Sequence, residues 1–113
     1  MRREGKVLYG GIEAGRVWQD DIGYGFAYHP IYLAMPHAQP ISLTLPLQEA
    51  SYLSKTMIAF FDGLIAEGWL LEADLKVWHL DRRDRMGLLL TVCQDCVGAV
   101  SVVAEPDPAD VSL

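Results

Sequence analysis

Hydrophobic and polar positions alternate along the first part of the chain with a period of two, the period of a half-buried β-strand. Residues 6–9 and 16–18 have this β character, and the Gly-Gly pair between them predicts a tight hairpin turn, because glycine adopts positive φ freely. Alternating aromatic residues at 24–28 predict a third strand, and the strict apolar–polar alternation of 41–45 predicts a fourth. Prolines restrict residues 30–40 to one short helical turn.

From residue 54 the period of the apolar positions changes to 3.6, which predicts helices. The first helix has its apolar face at positions 57, 60, 61, 64 and 65. Gly68 is predicted to end this helix, because glycine is unfavourable in a helix interior. A second helical stripe follows at Leu71, Leu75 and Trp78.

Asp81 or Asp84 is predicted to cap a third helix, because an aspartate side chain accepts hydrogen bonds from the first helical N–H groups. Its buried face is expected to contain four residues: Met86, Leu89, Leu90 and Cys93. Valines at 100, 102 and 103 predict a closing strand. The order of elements predicts an α+β domain with a mainly antiparallel β-sheet and about three helices inserted before the last strand. This domain is expected to span residues 6–104, and residues 105–113 are expected to form a flexible acidic tail.

The composition fits one compact domain, since 51% of the 113 residues are hydrophobic and 21% are charged. Lys and Arg number 9 against 15 Asp and Glu, which gives a formal net charge of -6. Direct nucleic-acid binding is not expected, because phosphate contacts require a basic face and the basic cluster at 82–85 is interrupted by an aspartate. The chain has no signal-peptide pattern and no apolar run of the roughly 20 residues that span a membrane, so we predict a cytoplasmic protein.

The residue patterns of common catalytic sites are missing from the sequence. A protein-kinase site needs an asparagine as a metal ligand, and the chain contains no asparagine. Neither the phosphate-binding pattern G-x-x-x-x-G-K-[ST] nor the nucleophile pattern G-x-S-x-G is present. We therefore predict a protein without enzymatic activity, cofactor or metal.

The two cysteines form a C-x-x-C pair, Cys93 and Cys96. Zinc requires four ligands, and no second pair of ligands has suitable spacing. The pair follows the apolar stripe of the third predicted helix, where the helix dipole disfavours a thiolate. A structural role is favoured on these grounds, while a small redox protein remains an alternative, and the sequence does not decide whether the two cysteines form a disulfide.

Four short stretches, in order along the chain, resemble the N-terminal subdomain of the HipA family of serine/threonine kinases, which are the toxins of HipBA-type toxin–antitoxin systems. The stretch VLYGG at 7–11 is similar to the opening hairpin of the family, and PISLTLPL at 40–47 is similar to its P-x-S-x-S-L-P-L stretch. FFDGLIAEG at 60–68 resembles its F-F-x-x-L-L-P-E-G helix end, and DCVGAV at 95–100 resembles its step into the last strand.

This resemblance implies a non-catalytic subdomain that the kinase core should follow. Because no kinase core follows here, the chain resembles HipS-like proteins, in which the subdomain is encoded separately from a shortened kinase, HipT. The implied function is that of an antitoxin that binds and inhibits a HipA-like kinase, with a HipB-like helix-turn-helix protein providing the DNA contact. The alternative is a scaffold subdomain that supports a complete HipA-like kinase.

One departure from the family pattern points to a partner-binding site. Where the family has Pro-Glu-Gly followed by polar residues, this chain has Ala66, Glu67 and Gly68 followed by Trp69. At about 100° per residue, Trp69 lies roughly 160° from the apolar stripe of the second predicted helix, so it is expected to face outward as an interface anchor. We predict that Trp69, with its neighbours and Ala73, contacts the kinase near its nucleotide cleft. The alternative is that Trp69 packs under the proline-rich loop.

Overall fold

The structure, a computed structural model, describes residues 2–71, 83–92 and 99–104, and of residues 67–71 and 92 it describes the backbone alone. Within these ranges the chain forms, in order, β1 (Arg3–Tyr9), β2 (Ile12–Gln19), β3 (Tyr24–Tyr28), α1 (Pro30–Leu33), β4 (Tyr52–Ser54), α2 (Ala59–Leu71), α3 (Arg85–Val92) and β5 (Val100–Ala104). The α+β class is confirmed. The second predicted helical stripe beyond Leu71, both cysteines and the tail at 105–113 lie outside the described residues.

The strands form one antiparallel sheet in the order β4-β3-β2-β1-β5. The predicted hairpin joins β1 to β2, and its turn contains Gly10 at φ 58 and Gly11 at φ 84, a backbone region that other residues rarely adopt. β5 pairs with β1, so the first and last strands of the chain lie side by side. This pairing of distant segments ties the two ends of the described chain to one sheet.

One face of the sheet packs against α2 and α3 and forms the core. Phe26 of β3 lies at its centre, with its ring centroid 5.5 Å from that of Phe61 of α2. The other large side chains that are fully buried come from both layers: Val7, Val17, Ile65, Met86, Leu88, Leu89 and Val102. Burial of apolar surface is the main favourable contribution to the free energy of folding. This contact between the sheet and the helices therefore fixes where α2 and α3 lie.

Helix α2 confirms the predicted apolar stripe but not its predicted end. Phe61, Leu64 and Ile65 are buried, and Met57 is buried just before the helix begins. The helix continues through Gly68 to Leu71, so the predicted break at Gly68 is wrong. A glycine in a helix costs only about 0.5–1 kcal/mol relative to alanine, less than burial of a single large apolar side chain of the stripe contributes.

The predicted strand at 41–45 is also wrong, since this segment is a turn with one isolated bridge between Ser42 and Leu45. The fourth strand of the sheet is Tyr52–Ser54, which sequence periodicity did not indicate. The alternation predicted that Ile41, Leu43 and Leu45 would share one buried face, but only Ile41 and Leu45 are buried and Leu43 is exposed. A turn can direct its first and last side chains inward and its middle one outward, whereas a strand places all three on the same face.

Helix α3 begins after Asp84, one of the two aspartates that the sequence predicted as its cap. The Asp84 carboxylate accepts a hydrogen bond from the Gly87 N–H at 3.1 Å, as an N-cap residue does. Arg3 of β1 donates to the same carboxylate, with Nη1 2.9 Å from Oδ2. This hydrogen bond, together with the one from Gly87, holds the pKa of Asp84 below its ordinary value of 3.8, against the opposing effect of burial. The start of α3 is thereby fixed to β1.

Candidate partner-binding surface

Helix α2, which carries the predicted site, has one buried face and one exposed face. The exposed face consists of residues spaced three and four apart: Ala59, Asp62, Gly63 and Ala66. At Gly63 an added Cβ would meet no atom within 4 Å, so the helix backbone is open to a partner there. Of the predicted partner-binding residues, Ala66 is therefore placed on the exposed face, as an interface requires.

Glu67, Gly68 and Trp69 belong to α2 by their backbone, whereas Ala73 lies outside the described residues. Because α2 is continuous, the position of residue 69 is set by α2 itself and not by the start of a second helix. In an ideal helix, position 69 lies about 20° around the axis from Asp62 and about 40° from Ile65. Asp62 is exposed and Ile65 is buried, so position 69 lies at the border between the two faces of α2.

An ion pair occupies the same border two turns earlier. Arg85 of α3 donates to the Asp62 carboxylate of α2, with Nε 2.8 Å from Oδ1, and its Nη2 also bonds this oxygen. Both side chains are about one-third to one-half exposed, so the pair contributes little to stability. It does restrict the relative position of α2 and α3 along the edge on which residue 69 lies.

A second exposed feature is the turn formed by residues 41–45, which the sequence did not predict. We call it the Leu43 turn. Leu43 at its tip is 96% exposed. The Tyr28 hydroxyl accepts a hydrogen bond from the Ile41 N–H at 3.0 Å and donates one to the Leu45 carbonyl. The burial of Tyr28 raises the pKa of its hydroxyl, so the group stays protonated and able to donate at neutral pH.

Hydroxyl side chains hold the turn from within. The Ser42 and Thr44 hydroxyl oxygens lie 2.9 Å apart, and the Thr44 N–H donates to the Ser42 hydroxyl at 3.2 Å. The Leu45 N–H donates to the Ser42 carbonyl at 3.1 Å. A Ser-x-Thr pair between two prolines is the sequence signal that would have predicted this turn, because serine and threonine hydroxyls bond to nearby backbone groups.

The sheet face opposite the core carries a third apolar feature. Glu4, Trp18, Gly25 and Leu53 lie side by side across four strands. The Trp18 indole covers Gly25, where an added Cβ would lie 2.3 Å from the ring, and the Arg2 guanidinium stacks on Trp18 at 4.9 Å. Beside it lies a cleft of ≈ 250 Å³, lined mainly by Trp18, Ile22, Tyr24, Leu53 and Lys55.

The described residues contain no group of three or more His, Cys, Asp or Glu side chains that are placed to hold a metal ion. No helix among them has the length and apolar character needed to cross a membrane. The border of α2, the Leu43 turn and the Trp18 cleft are three surface features of the described residues that another protein can contact.

Comparison with known families decides the identity of the fold. The family model of the HipA N-terminal domain matches residues 5–103. The chain belongs to the HipA N-terminal domain family. The resemblance drawn from short motifs is thus confirmed. In this chain the first three motifs form the β1–β2 turn, the Leu43 turn and the body of α2, and most of the fourth lies outside the described residues.

Two relatives illustrate the family. An uncharacterized protein of Haemophilus influenzae is 31% identical over 103 residues, an alignment that covers 91% of this chain and 93% of that protein. A solved structure described as the N-terminal domain of HipA toxin has a TM-score of 0.68 and 27% identity to this chain, and the match covers 93% of this chain and 94% of that one. The chain is therefore similar to a HipA N-terminal domain over nearly its whole length.

Proposed function

We propose that this member of the HipA N-terminal domain family is a cytoplasmic antitoxin, which binds and inhibits a HipA-like (HipT) serine/threonine kinase and has no catalytic activity of its own. The family match over residues 5–103 carries the proposal. The relative in Haemophilus influenzae supports a separately encoded form of the domain, because the alignment covers 93% of that protein and leaves no room in it for a kinase core.

In this proposal, the C-terminal half of α2 contacts the kinase. Residue 69 lies at the border between the exposed and buried faces of a continuous helix, next to the exposed Ala66. Tryptophan is among the residues most often found at the energetic centre of interfaces. An indole placed in or beside the nucleotide cleft would block ATP or hold the kinase lobes apart. Glu67, Gly68 and Ala73 are proposed as its neighbours in the interface.

A HipB-like helix-turn-helix protein is proposed as the third member of the complex. The present chain has a net charge of -6, which disfavours direct contact with DNA phosphates. Any operator binding by the complex would then come from the third protein.

The test is rescue from kinase toxicity. Wild-type chain and its Trp69→Ala variant are each co-expressed with a HipA-like kinase whose expression arrests growth. We expect the wild type to restore growth and Trp69→Ala to restore it at least about 10-fold less well in colony counts, the scale of a lost interface anchor. Kinase autophosphorylation, measured with the purified proteins, should be inhibited by the wild type and not by the variant.

A tryptophan on the opposite side of the molecule provides the matched control. Trp18 lies on the sheet face away from α2, and Trp18→Ala should rescue growth like the wild type as long as its thermal unfolding shows a folded protein. Full rescue by Trp69→Ala would remove Trp69 from the mechanism. Failure of the wild type to bind or inhibit any HipA-like kinase would refute the antitoxin proposal itself.

The second candidate function is a scaffold subdomain of a complete HipA-like kinase. The similarity to the N-terminal domain of HipA toxin, with a TM-score of 0.68, favours it. A kinase reading frame that is continuous with this chain would support the scaffold function. A separate, short kinase reading frame beside it would support the antitoxin function. A disulfide-reductase assay on the purified chain tests the remaining redox alternative, and turnover in that assay would contradict both binding functions.

A further inference from the structure

Leu43 is the most exposed of the large hydrophobic side chains in the described part of the chain, at 96%, and it stands on a turn that the fold holds in place. The two sides of the turn are bound to one buried group, since the Tyr28 hydroxyl bonds both the Ile41 N–H and the Leu45 carbonyl. The Ile41 and Leu45 side chains are buried beneath it. The structure thus fixes the backbone on both sides of Leu43 while it leaves the Leu43 side chain in water.

This geometry lowers the conformational entropy that is lost when a partner binds Leu43. A flexible loop loses conformational entropy when a partner orders it, whereas a loop already fixed in the free protein loses little. Leu53 is the natural comparison, because it is 75% exposed but lies on the edge strand β4, on the face of the sheet that carries Trp18. Leu43 instead lies at the tip of a turn, and an exposed apolar side chain at a tip fits a concave apolar socket.

The charge pattern around the turn selects the kind of partner. No ionisable side chain occurs between residues 38 and 48, in a chain whose net charge is -6. The turn therefore offers no cation to phosphates, which disfavours both nucleic acid and an anionic membrane surface. Insertion into lipid is also disfavoured, since even a whole myristoyl chain gives only marginal membrane binding and one leucine is far smaller. An uncharged protein surface is the matching partner.

We propose that Leu43 is a second anchor of the interface with the kinase, inserted into an apolar, uncharged socket of that protein and independent of the α2 site. This inference rests on the proposed function for the identity of the partner. The Leu43 turn is an interaction feature in its own right, because it is built by Tyr28, Ser42 and Thr44, none of which belongs to α2.

Binding of purified variants to the purified kinase tests the proposal. Calorimetry should give a Kd at least about 10-fold weaker for Leu43→Ser than for the wild type, and a change below about 3-fold for the control Leu53→Ser. Both substitutions shorten a leucine that is mostly exposed, so thermal unfolding should be nearly unchanged in both variants. Equal weakening in the two variants, or wild-type affinity of Leu43→Ser, would overturn the inference while leaving the antitoxin proposal in place.

Two further measurements distinguish other occupants of the Leu43 turn. If sedimentation shows a wild-type dimer that Leu43→Ser converts to a monomer with unchanged kinase affinity, the socket belongs to a second copy and the inference is wrong. Co-sedimentation of the wild type, but not of the variant, with phosphatidylglycerol vesicles would also overturn it. A wild-type chain that binds no HipA-like kinase would refute the proposed function and this inference together.

Discussion

Replacing Tyr28 with phenylalanine removes the one oxygen atom that bonds both sides of the Leu43 turn. The ring would stay in its contacts with Phe26 and Tyr32, whose centroids lie 4.8 and 6.0 Å away. The Ile41 N–H and the Leu45 carbonyl would lose their partner. Because Tyr28, Ile41 and Leu45 are exposed by only 3, 6 and 3%, bulk water does not replace it.

The structure sets the size of this effect. A buried backbone N–H or C=O without a partner costs about 1–3 kcal/mol. The substitution leaves two such groups without a partner. It also removes the cost of transferring the Tyr28 hydroxyl from water into the core, which offsets part of this loss. We therefore expect the free energy of unfolding to fall by about 2–3 kcal/mol. For a urea m-value of roughly 1.5 kcal/mol/M, the unfolding midpoint would fall by about 1.3–2 M.

Urea denaturation of Tyr28→Phe beside Tyr9→Phe measures the effect. The Tyr9 hydroxyl donates to the Gln39 side chain at 3.1 Å in an exposed position, so the same atom is removed where water can replace it. We expect Tyr9→Phe to change the free energy of unfolding by less than about 0.5 kcal/mol. Equal losses in the two variants, or a loss below about 0.5 kcal/mol for Tyr28→Phe, would refute the argument that Tyr28 fixes the turn.

Two further predictions concern the start of α3. An added Cβ at Gly87 would lie 2.3 Å from the Asp84 carboxylate, so Gly87→Ala should destabilise the protein by about 1 kcal/mol, although alanine normally favours a helix. In a protein that already carries Asp84→Ala, Gly87→Ala should instead raise the free energy of unfolding by about 0.5–1 kcal/mol, as measured by urea denaturation. A change of the same sign with and without Asp84→Ala would contradict the prediction. Since the hydrogen bond from Arg3 lowers the pKa of Asp84, the stability that ionised Asp84 contributes is present above pH 3.8 and is lost as the pH falls through the lowered value. Asp84→Asn, which keeps the cap, should therefore cost about 0.5–1 kcal/mol at pH 6 and progressively less as the pH falls below 3.8. A cost independent of pH would count against the ion pair.

Much of the fold could be predicted because its signals are local. The glycine pair between two β-like segments requires a turn whatever surrounds it, and the apolar stripe of α2 requires a helix with one buried face. The aspartate before α3 was recognised as a cap for the same reason, since its carboxylate bonds N–H groups within three residues. Two of the four family motifs, those at 7–11 and 60–68, lie within these same local elements.

The surfaces on which binding depends were decided by contacts between distant residues. Sequence alone determined that positions 41, 43 and 45 are apolar, but not that Leu43 is exposed while Ile41 and Leu45 are buried. Whether they form a strand or a turn depended on Tyr28, more than ten residues away, whose hydroxyl takes the hydrogen bonds that a neighbouring strand would otherwise make. The continuation of α2 through Gly68 likewise reflects packing of its buried face on the sheet, because the burial of several side chains outweighs the helix propensity of one glycine.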